Sequence, residues 1–226
     1  MAWNILTLSL RIFWRRLGLL LSANVIWLLA SLPLVTLPAA TAGLFALVGR
    51  VLAEELEPEQ PPARLIEMWH GARRYGLRAT LLVALDLAVL LVIGVALQFY
   101  GTSPVEVLRY LIGPIGLIGL AVLAAQLYVM PLLLVRETQP VPLVMREAFL
   151  MAIGYPAVTI SLGLTLLVIT LAAAVLAGPI LLVYFAFLAV VQSVMLRDIR
   201  IRRGEIQPAP PPEALPGGAT RGRRRR

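Results

Sequence analysis

The sequence contains no cysteine and a single histidine, His70. Without cysteine there is no disulfide framework, no thiolate nucleophile and no cysteine-ligated metal. One histidine also argues against an imidazole-based metal centre, because zinc sites take several histidine or cysteine ligands. We therefore expect neither a metal site nor a cofactor.

Charge is also scarce, since 14% of the residues are charged and 60% are hydrophobic. A soluble domain is about a quarter charged, so these proportions indicate the membrane class. Lysine is absent, and every basic residue is arginine. Abundant arginine, alanine, glycine and proline without lysine is typical of a GC-rich bacterial genome. We expect a multi-pass protein of the bacterial cytoplasmic (inner) membrane.

Long apolar segments predict an all-α fold, a polytopic membrane helical bundle of about six transmembrane helices with a proline-broken first hairpin. An aromatic and basic segment before the first span is typical of the membrane interface. Residues 1–203 form the predicted transmembrane domain. Residues 204–226, rich in proline, glycine and arginine, form a predicted disordered cytoplasmic tail. The predicted spans are residues 17–32, 38–56, 79–100, 110–135, 157–177 and 180–196.

The first hairpin is broken at Pro33 and Pro38, with Thr36 between them. Proline lacks the amide hydrogen that a helix interior needs but is tolerated in a first turn, so Pro38 should open the second helix. The uncharged part of that helix, residues 38–49, is short against a hydrocarbon layer of about 30 Å. It either crosses with its charged end at the interface or forms half of a re-entrant hairpin.

Three further segments connect the spans. Residues 63–78 predict an amphipathic helix that precedes the third span and either lies on the membrane surface or packs against the ends of neighbouring spans. Residues 136–155 predict a mixed-charge loop containing a short amphipathic run. Gly178 and Pro179 predict a tight turn between the last two spans.

The arginines set the orientation through the positive-inside rule. With six crossings, one side of the membrane holds every arginine except Arg109. With five crossings, Arg11, Arg15 and Arg16 would lie outside together with Arg109. We therefore predict that both termini are cytoplasmic.

Asp86 is the most distinctive polar residue, because an ionised carboxylate in hydrocarbon costs several kcal/mol unless it is paired or neutralised. Together with Asn24 and Gln126 it forms a candidate intramembrane polar site for a proton or cation. The alternative is a protonated Asp86 that hydrogen-bonds another span, or one that reaches the interface. Its candidate partners are Asn24, Gln126, Thr159, Ser161 and Thr165.

Small and basic residues suggest contacts with helices and lipid. A stripe of Gly113, Gly116 and Gly119 predicts a close helix contact. Basic side chains facing the membrane surface attract anionic lipid head groups. We expect this attraction, and no nucleic-acid partner, for Arg73, Arg74, Arg78, Arg223, Arg224, Arg225 and Arg226.

The sequence offers few of the residue combinations that enzymes use for catalysis. The spans contain no pair of carboxylates and no serine–histidine pair, and the sequence has neither HExxH nor a phosphate-binding GxxxxGK[ST] loop. We therefore expect that the protein is not an enzyme.

The first hairpin resembles the opening of the YesL-like bacterial membrane proteins, a family of unknown function. The resemblance extends over residues 1–203, and includes the segment around Trp69 and Tyr75 and the segment 147–156. Asp86 and the basic tail are not part of it. The residues of the hairpin that carry it are Asn24, Trp27, Leu28, Leu32, Pro33, Thr36, Pro38, Ala39, Ala42 and Phe45.

The resemblance implies a non-catalytic accessory or regulatory partner of a membrane transport system, in particular one for carbohydrate uptake. The partner would be a transporter permease or a second copy of the chain. The alternative is a small secondary transporter or channel that works through Asp86.

Overall fold

The computed structural model describes residues 2–56, 60–176 and 181–207. The described chain is all-α and contains no strand, as predicted. Its helices are α1 Ala2–Arg15, α2 Leu17–Ala30, α3 Leu37–Leu56, α4 Ile66–Gly101, α5 Glu106–Arg109, α6 Ile112–Val135, α7 Val141–Gly154, α8 Pro156–Leu176 and α9 Leu181–Arg202.

Three of these helical segments are long and apolar enough to cross a membrane: Leu34–Leu56, Ile66–Gly101 and Glu106–Val135. The number rises to five if each of two sharply bent helix pairs counts as one span. The predicted turn at Gly178 and Pro179, and the start of the predicted sixth span, lie outside the described residues. The described helices are therefore those of a polytopic membrane bundle.

The first hairpin breaks where the prolines predicted. Helix α2 ends at Ala30, a short 3-10 helix covers Leu34–Thr36, and α3 begins with Pro38 in its first turn. The Thr36 hydroxyl donates to the carbonyl of Ala30 and, at 2.7 Å, to that of Pro33. The bond to Ala30 satisfies a carbonyl group that the end of α2 leaves without a helical partner.

The lengths of the two hairpin helices differ from the expectation. The returning segment, Leu34–Leu56, has 23 residues and qualifies as a span by itself. The outgoing helix α2 has only 14 residues, about 21 Å at 1.5 Å per residue. Helix α2 is therefore the short member, because the chain turns sharply at Arg16 and the apolar helix cannot extend towards the N-terminus.

Helices α1 and α7 lie across the bundle at nearly right angles to the helices that follow them. The axes of α1 and α2 make 90°, and those of α7 and α8 make 96°. In α7, Val144, Ala148 and Met151 are completely buried, at the spacing of one helical face. Most of the predicted loop 136–155 is thus a 14-residue packed helix, because this apolar face docks on α6.

The predicted boundary at residue 78, between the amphipathic helix and the third span, is wrong. The amphipathic segment and the third span are one continuous helix of 36 residues, about 54 Å long. No proline interrupts residues 66–101, and Gly71 and Gly76 are tolerated because α3 packs over them. The amphipathic face is only partly buried: Met68 and Tyr75 pack inward, whereas Trp69 is 59% exposed.

Glycines bring α3 and α4 into close contact. A Cβ at Gly43 would overlap the carbonyl oxygen of Met68, and one at Gly71 would overlap the Cβ of Ala46. A Cβ at Gly76 would lie 3.0 Å from that of Ala39. Small residues allow this backbone approach, which is a common basis of helix association in membranes.

The predicted close contact through the glycines of α6 is largely wrong. A Cβ at Gly113 or Gly116 would meet no atom within 4 Å, and only Gly119 approaches a neighbour, 3.2 Å from Cγ2 of Ile93. The first half of α6 carries exposed apolar side chains such as Leu117 and Leu120. Within the described chain, no helix covers these first two glycines.

Helix α9 ends in a glycine cap. Gly204 has a φ of +71°, and the amides of Gly204 and Glu205 donate to the carbonyls of Ile201 and Arg200. This is the Schellman arrangement, in which glycine adopts the left-handed conformation. Residues 208–226, which hold most of the predicted disordered tail, lie outside the described residues.

We expect Gly43→Ala to destabilise the protein by about 1–3 kcal/mol, because the added methyl group meets a backbone carbonyl that cannot rotate away. The measurement is the thermal unfolding midpoint in detergent. Gly49→Ala is the control, since its Cβ meets nothing within 4 Å on the same helix. Equal midpoints for the two variants would contradict the close α3–α4 contact.

Candidate functional site

Asp86 on α4 and Gln126 on α6 form a polar pair between two apolar helices. The side-chain amide of Gln126 donates to Oδ1 of Asp86 over 2.5 Å, and both residues are half-buried. Gln126 was one of the partners proposed for Asp86. The carboxyl group of Asp86 is therefore hydrogen-bonded to the neighbouring helix, and Asp86 is still partly exposed at the outside of the bundle.

Asn24 lies in a different part of the bundle. It is completely buried on α2, and its Oδ1 accepts a hydrogen bond of 2.9 Å from the amide of Ala186 on α9. The structure thus brings together two of the three residues of the predicted polar site, Asp86 and Gln126. Asn24 instead links α2 to α9.

The hydroxyl groups proposed as partners of Asp86 bind elsewhere. Thr159 is buried and lies 2.6 Å from the hydroxyl of Tyr128. Thr165 donates to the carbonyl of Ser161 in its own helix, and Ser161 is exposed. Thr159 thus links α8 to α6, as buried hydroxyl groups in membrane helices commonly do.

Trp27 joins Asn24 in fastening the first hairpin to the bundle. Its indole N–H donates to Oγ1 of Thr41 on α3 over 3.1 Å. Its ring centroid lies 4.0 Å from that of Phe185 on α9. Two residues of the motif that carries the YesL-like resemblance therefore make structural contacts with two other helices.

Ion pairs close the end of the bundle where the basic residues gather. At the bend between α1 and α2, Arg16 binds Glu54 at 2.5 Å and Glu55 at 3.0 Å, both on α3. Arg136, just after α6, binds both carboxylate oxygens of Glu147 on α7, at 2.8 and 3.1 Å. These bonds raise the pKa of Arg136 above its usual value, so it stays cationic.

The three arginines predicted to face lipid differ in their contacts. Arg78 donates to the backbone carbonyls of residues 136, 137 and 139 and so secures the end of α6. Arg74 binds the carboxylate of Glu137 at 2.5 Å. Arg73 is exposed and lies over the Trp69 ring, 5.9 Å from its centroid. Arg223–Arg226 lie outside the described residues, and lipid binding by all of these residues stays a prediction.

A cavity of about 700 Å³ opens at the same end of the bundle. Apolar side chains of α3, α6 and α9 line part of it, with Phe45, Pro131 and Leu196 among them. The charged residues of the lining are four arginines from three helices and two glutamates: Arg50, Arg74, Arg197, Arg200, Glu67 and Glu137. Asp86, Asn24 and Gln126 do not line this cavity.

The cavity was not found from the sequence. Arg197 and Arg200 are three residues apart, a spacing that places both on one helical face and could have drawn attention to them. Arg50 carries no such signal, because the other charged residues that line the cavity lie outside α3. Within the described residues, no group of three or more histidine, aspartate or glutamate side chains could hold a metal ion.

These features define the class of the protein. It is an all-α bundle with several helices long and apolar enough to cross a membrane, one polar pair between α4 and α6, and an arginine-lined cavity at one end. No protein-family model, curated protein or solved structure gives a significant match to the chain. The YesL-like resemblance therefore stays a prediction.

We expect Asn24→Ala to lower stability by about 1 kcal/mol, because it removes a hydrogen bond between α2 and α9. The thermal unfolding midpoint in detergent measures the effect. Ser22→Ala is the matched control, since Ser22 is exposed and bonds only within its own helix, to the carbonyl of Gly18. A larger loss for Ser22→Ala than for Asn24→Ala would rule out the structural role of Asn24.

Proposed function

We propose that the protein is a non-catalytic accessory or regulatory subunit of a membrane transport system. It would contact its partner inside the membrane through the outer part of α4 and the adjoining first half of α6. The main support for this proposal is the exposure of the apolar helix α4. The assignment to carbohydrate uptake rests on the resemblance of the first hairpin alone.

Helix α4 is a long apolar helix that its own chain hardly covers. Only 6% of its most apolar 18-residue window is buried, against 50% for the segment Leu34–Leu56. Leu91 and Val92 are each 68% exposed. Helix α4 packs mainly against α3 through its first half, so the second half is available to a helix of another protein.

The Asp86–Gln126 pair lies beside this uncovered surface. In the described chain, Gln126 is the hydrogen-bond partner of Asp86 and binds one of its two carboxyl oxygens. A carboxyl group in hydrocarbon is costly unless its polar atoms are satisfied. A polar side chain or backbone group on a partner helix would satisfy the remaining oxygen, and this need favours a specific partner over lipid alone.

The alternative, transport through Asp86, has less support. A transporter needs a water-filled path to its intramembrane carboxylate. The 700 Å³ cavity is lined by the basic end of the bundle and does not include the Asp86–Gln126 pair. The pair is equally consistent with a helix contact, and the exposure of α4 supports the accessory role.

The orientation of the bundle follows from the charges at its ends. Helix α1 packs against α9, and Arg15 and Arg16 bind the last turn of α3, so both termini of the described chain approach the same end. That end carries most of the arginines, whereas Arg109 lies in the connection between α4 and α6. By the positive-inside rule, this distribution supports our proposal that the basic end is cytoplasmic in the bacterial inner membrane.

Single cysteines test this orientation cleanly, because the chain has none of its own. Val35, in the turn between α2 and α3, is 84% exposed, and Thr138, between α6 and α7, is also exposed. On intact cells, a membrane-impermeant maleimide should label Val35→Cys. It should label Thr138→Cys only after permeabilisation.

The cysteine-free parent chain is the control for background labelling. Labelling of Thr138→Cys on intact cells, with Val35→Cys protected until permeabilisation, would invert the topology.

The partner contact is tested by filling the uncovered surface of α4. Gly94 is exposed there, and a Cβ would meet nothing within 4 Å in the chain itself. Gly94→Leu should therefore fold normally but keep a partner helix away. The tagged full-length protein, purified from its native membranes in mild detergent, should yield a transport permease in near-stoichiometric amount. Gly94→Leu should reduce that yield by about tenfold, equivalent to roughly 1.4 kcal/mol.

Gly18→Leu is the matched control, since Gly18 is exposed on α2 and also has nothing within 4 Å. It should leave the yield of the permease unchanged. Recovery of a homo-oligomer without a permease, or equal yields from Gly94→Leu and Gly18→Leu, would refute an accessory role through α4.

A further inference from the structure

The arginine-lined cavity at the basic end has features that the proposed partner contact does not use. It lies between α3, α4, α6 and α9, whereas the proposed partner surface lies on the outer part of α4. Its volume of about 700 Å³ is within the range of small-molecule sites, which is about 300–1,000 Å³. The cavity can therefore be considered as a separate binding site.

The residues that line the cavity carry a net positive charge. Four arginines face two glutamates. Glu137 is already engaged, because its carboxylate accepts hydrogen bonds from Arg74 and from the hydroxyl of Tyr75. Glu67 lies in the first turn of α4, where the helix dipole stabilises a carboxylate. On the α9 side, Arg200 pairs with Glu205 at 3.2 Å. With that carboxylate included, the four arginines of the lining still outnumber the three glutamates.

Arg50 is the arginine most suited to an incoming anion. It is half-buried on α3 and donates to the side-chain oxygen of Gln60 over 3.3 Å, a neutral group at the long end of hydrogen-bond distances. Arg197 and Arg200 are half-buried on α9 and share the cavity with it. Guanidinium groups bind phosphate with paired hydrogen bonds, which makes arginine a preferred phosphate ligand.

The cavity also has an apolar side. Phe45 and Leu52 of α3, Pro131 and Leu134 of α6 and Leu196 of α9 line it together with the arginines. Gly49 leaves space on the α3 wall, where a Cβ would meet nothing within 4 Å. A ligand that joins an anionic group to a less polar body would match both parts of the lining.

We propose that this cavity is a binding site for a phosphate-bearing anion, held by Arg50, Arg197 and Arg200. The phosphate group comes either from a soluble phosphorylated compound in the cytoplasm or from the head group of an anionic phospholipid. Both sources share the same recognition chemistry. The site is independent of the proposed accessory function and would exist in a transporter as well.

The full-length protein, reconstituted in nanodiscs, allows the two sources to be tested separately. In one arm, inorganic phosphate is titrated into phosphatidylcholine nanodiscs and binding is followed by calorimetry. In the other arm, the thermal unfolding midpoint is compared between nanodiscs of pure phosphatidylcholine and nanodiscs with one-fifth phosphatidylglycerol. The wild-type protein should bind phosphate, be stabilised by phosphatidylglycerol, or show both effects.

Arg50→Gln should weaken phosphate binding, or the stabilisation by phosphatidylglycerol, by about tenfold or more. The reason is that hydrogen bonds between charged groups are among the strongest that a side chain makes. Arg146→Gln is the matched control. It removes the same charge, but Arg146 is exposed on α7 and does not line the cavity. Arg146→Gln should change binding by less than about twofold, as expected for a screened surface charge.

Gly49→Leu provides a second variant that keeps every charge and reduces the space on the α3 wall. It should weaken binding to a similar extent as Arg50→Gln. A response to phosphate identifies a soluble ligand, and a response to phosphatidylglycerol alone identifies a lipid head group. No response of the wild-type protein in either arm, or equal effects of Arg50→Gln and Arg146→Gln, would overturn the site.

Discussion

Gly43 on α3 and Gly71 on α4 lie against each other with no side chain between the two backbones. This contact determines where the first half of α4 lies, and the arrangement of the rest of the bundle follows from it. Because α3 and α4 meet so closely, Arg50 and Arg74 come to line the same cavity. Because the contact is confined to the first half of α4, the second half extends along the bundle almost uncovered.

Polar groups in the apolar region are satisfied between helices. Gln126 binds Asp86 between α6 and α4, Asn24 binds the amide of Ala186 between α2 and α9, and Tyr128 binds Thr159 between α6 and α8. Hydrocarbon offers no hydrogen-bond partners, so each polar atom requires one from the protein. Asn24 and Thr159 are buried, but Asp86 is half-buried beside the uncovered part of α4. Asp86 therefore lies nearer the outside of the described bundle than the other two polar contacts.

Charge is concentrated at one end of the molecule and serves two purposes there. Most of the acidic side chains in the described part pair with arginines, and some of these pairs hold α1 against α3 and α7 against the end of α6. Arg50, Arg197 and Arg200 also line a cavity at the same cationic end. The same concentration of arginine at one end thus supplies both the ion-pair network and the lining of the cavity.

The sequence by itself determined the class of fold. Long apolar segments with few charges are typical of a membrane-type bundle, and two prolines five residues apart, at 33 and 38, disfavour one continuous helix, so a break was expected there. The pairing of Asp86 with Gln126 was among the predicted alternatives, since few other polar groups were within reach. The tertiary structure decided the remainder. In the structure, the amphipathic segment and the third span are one helix, and the close glycine contact lies mainly between α3 and α4. Asn24 lies apart from Asp86, and arginines from three helices line one cavity. These features depend on which helix faces which across large separations in sequence, and local periodicity carries no information about that choice.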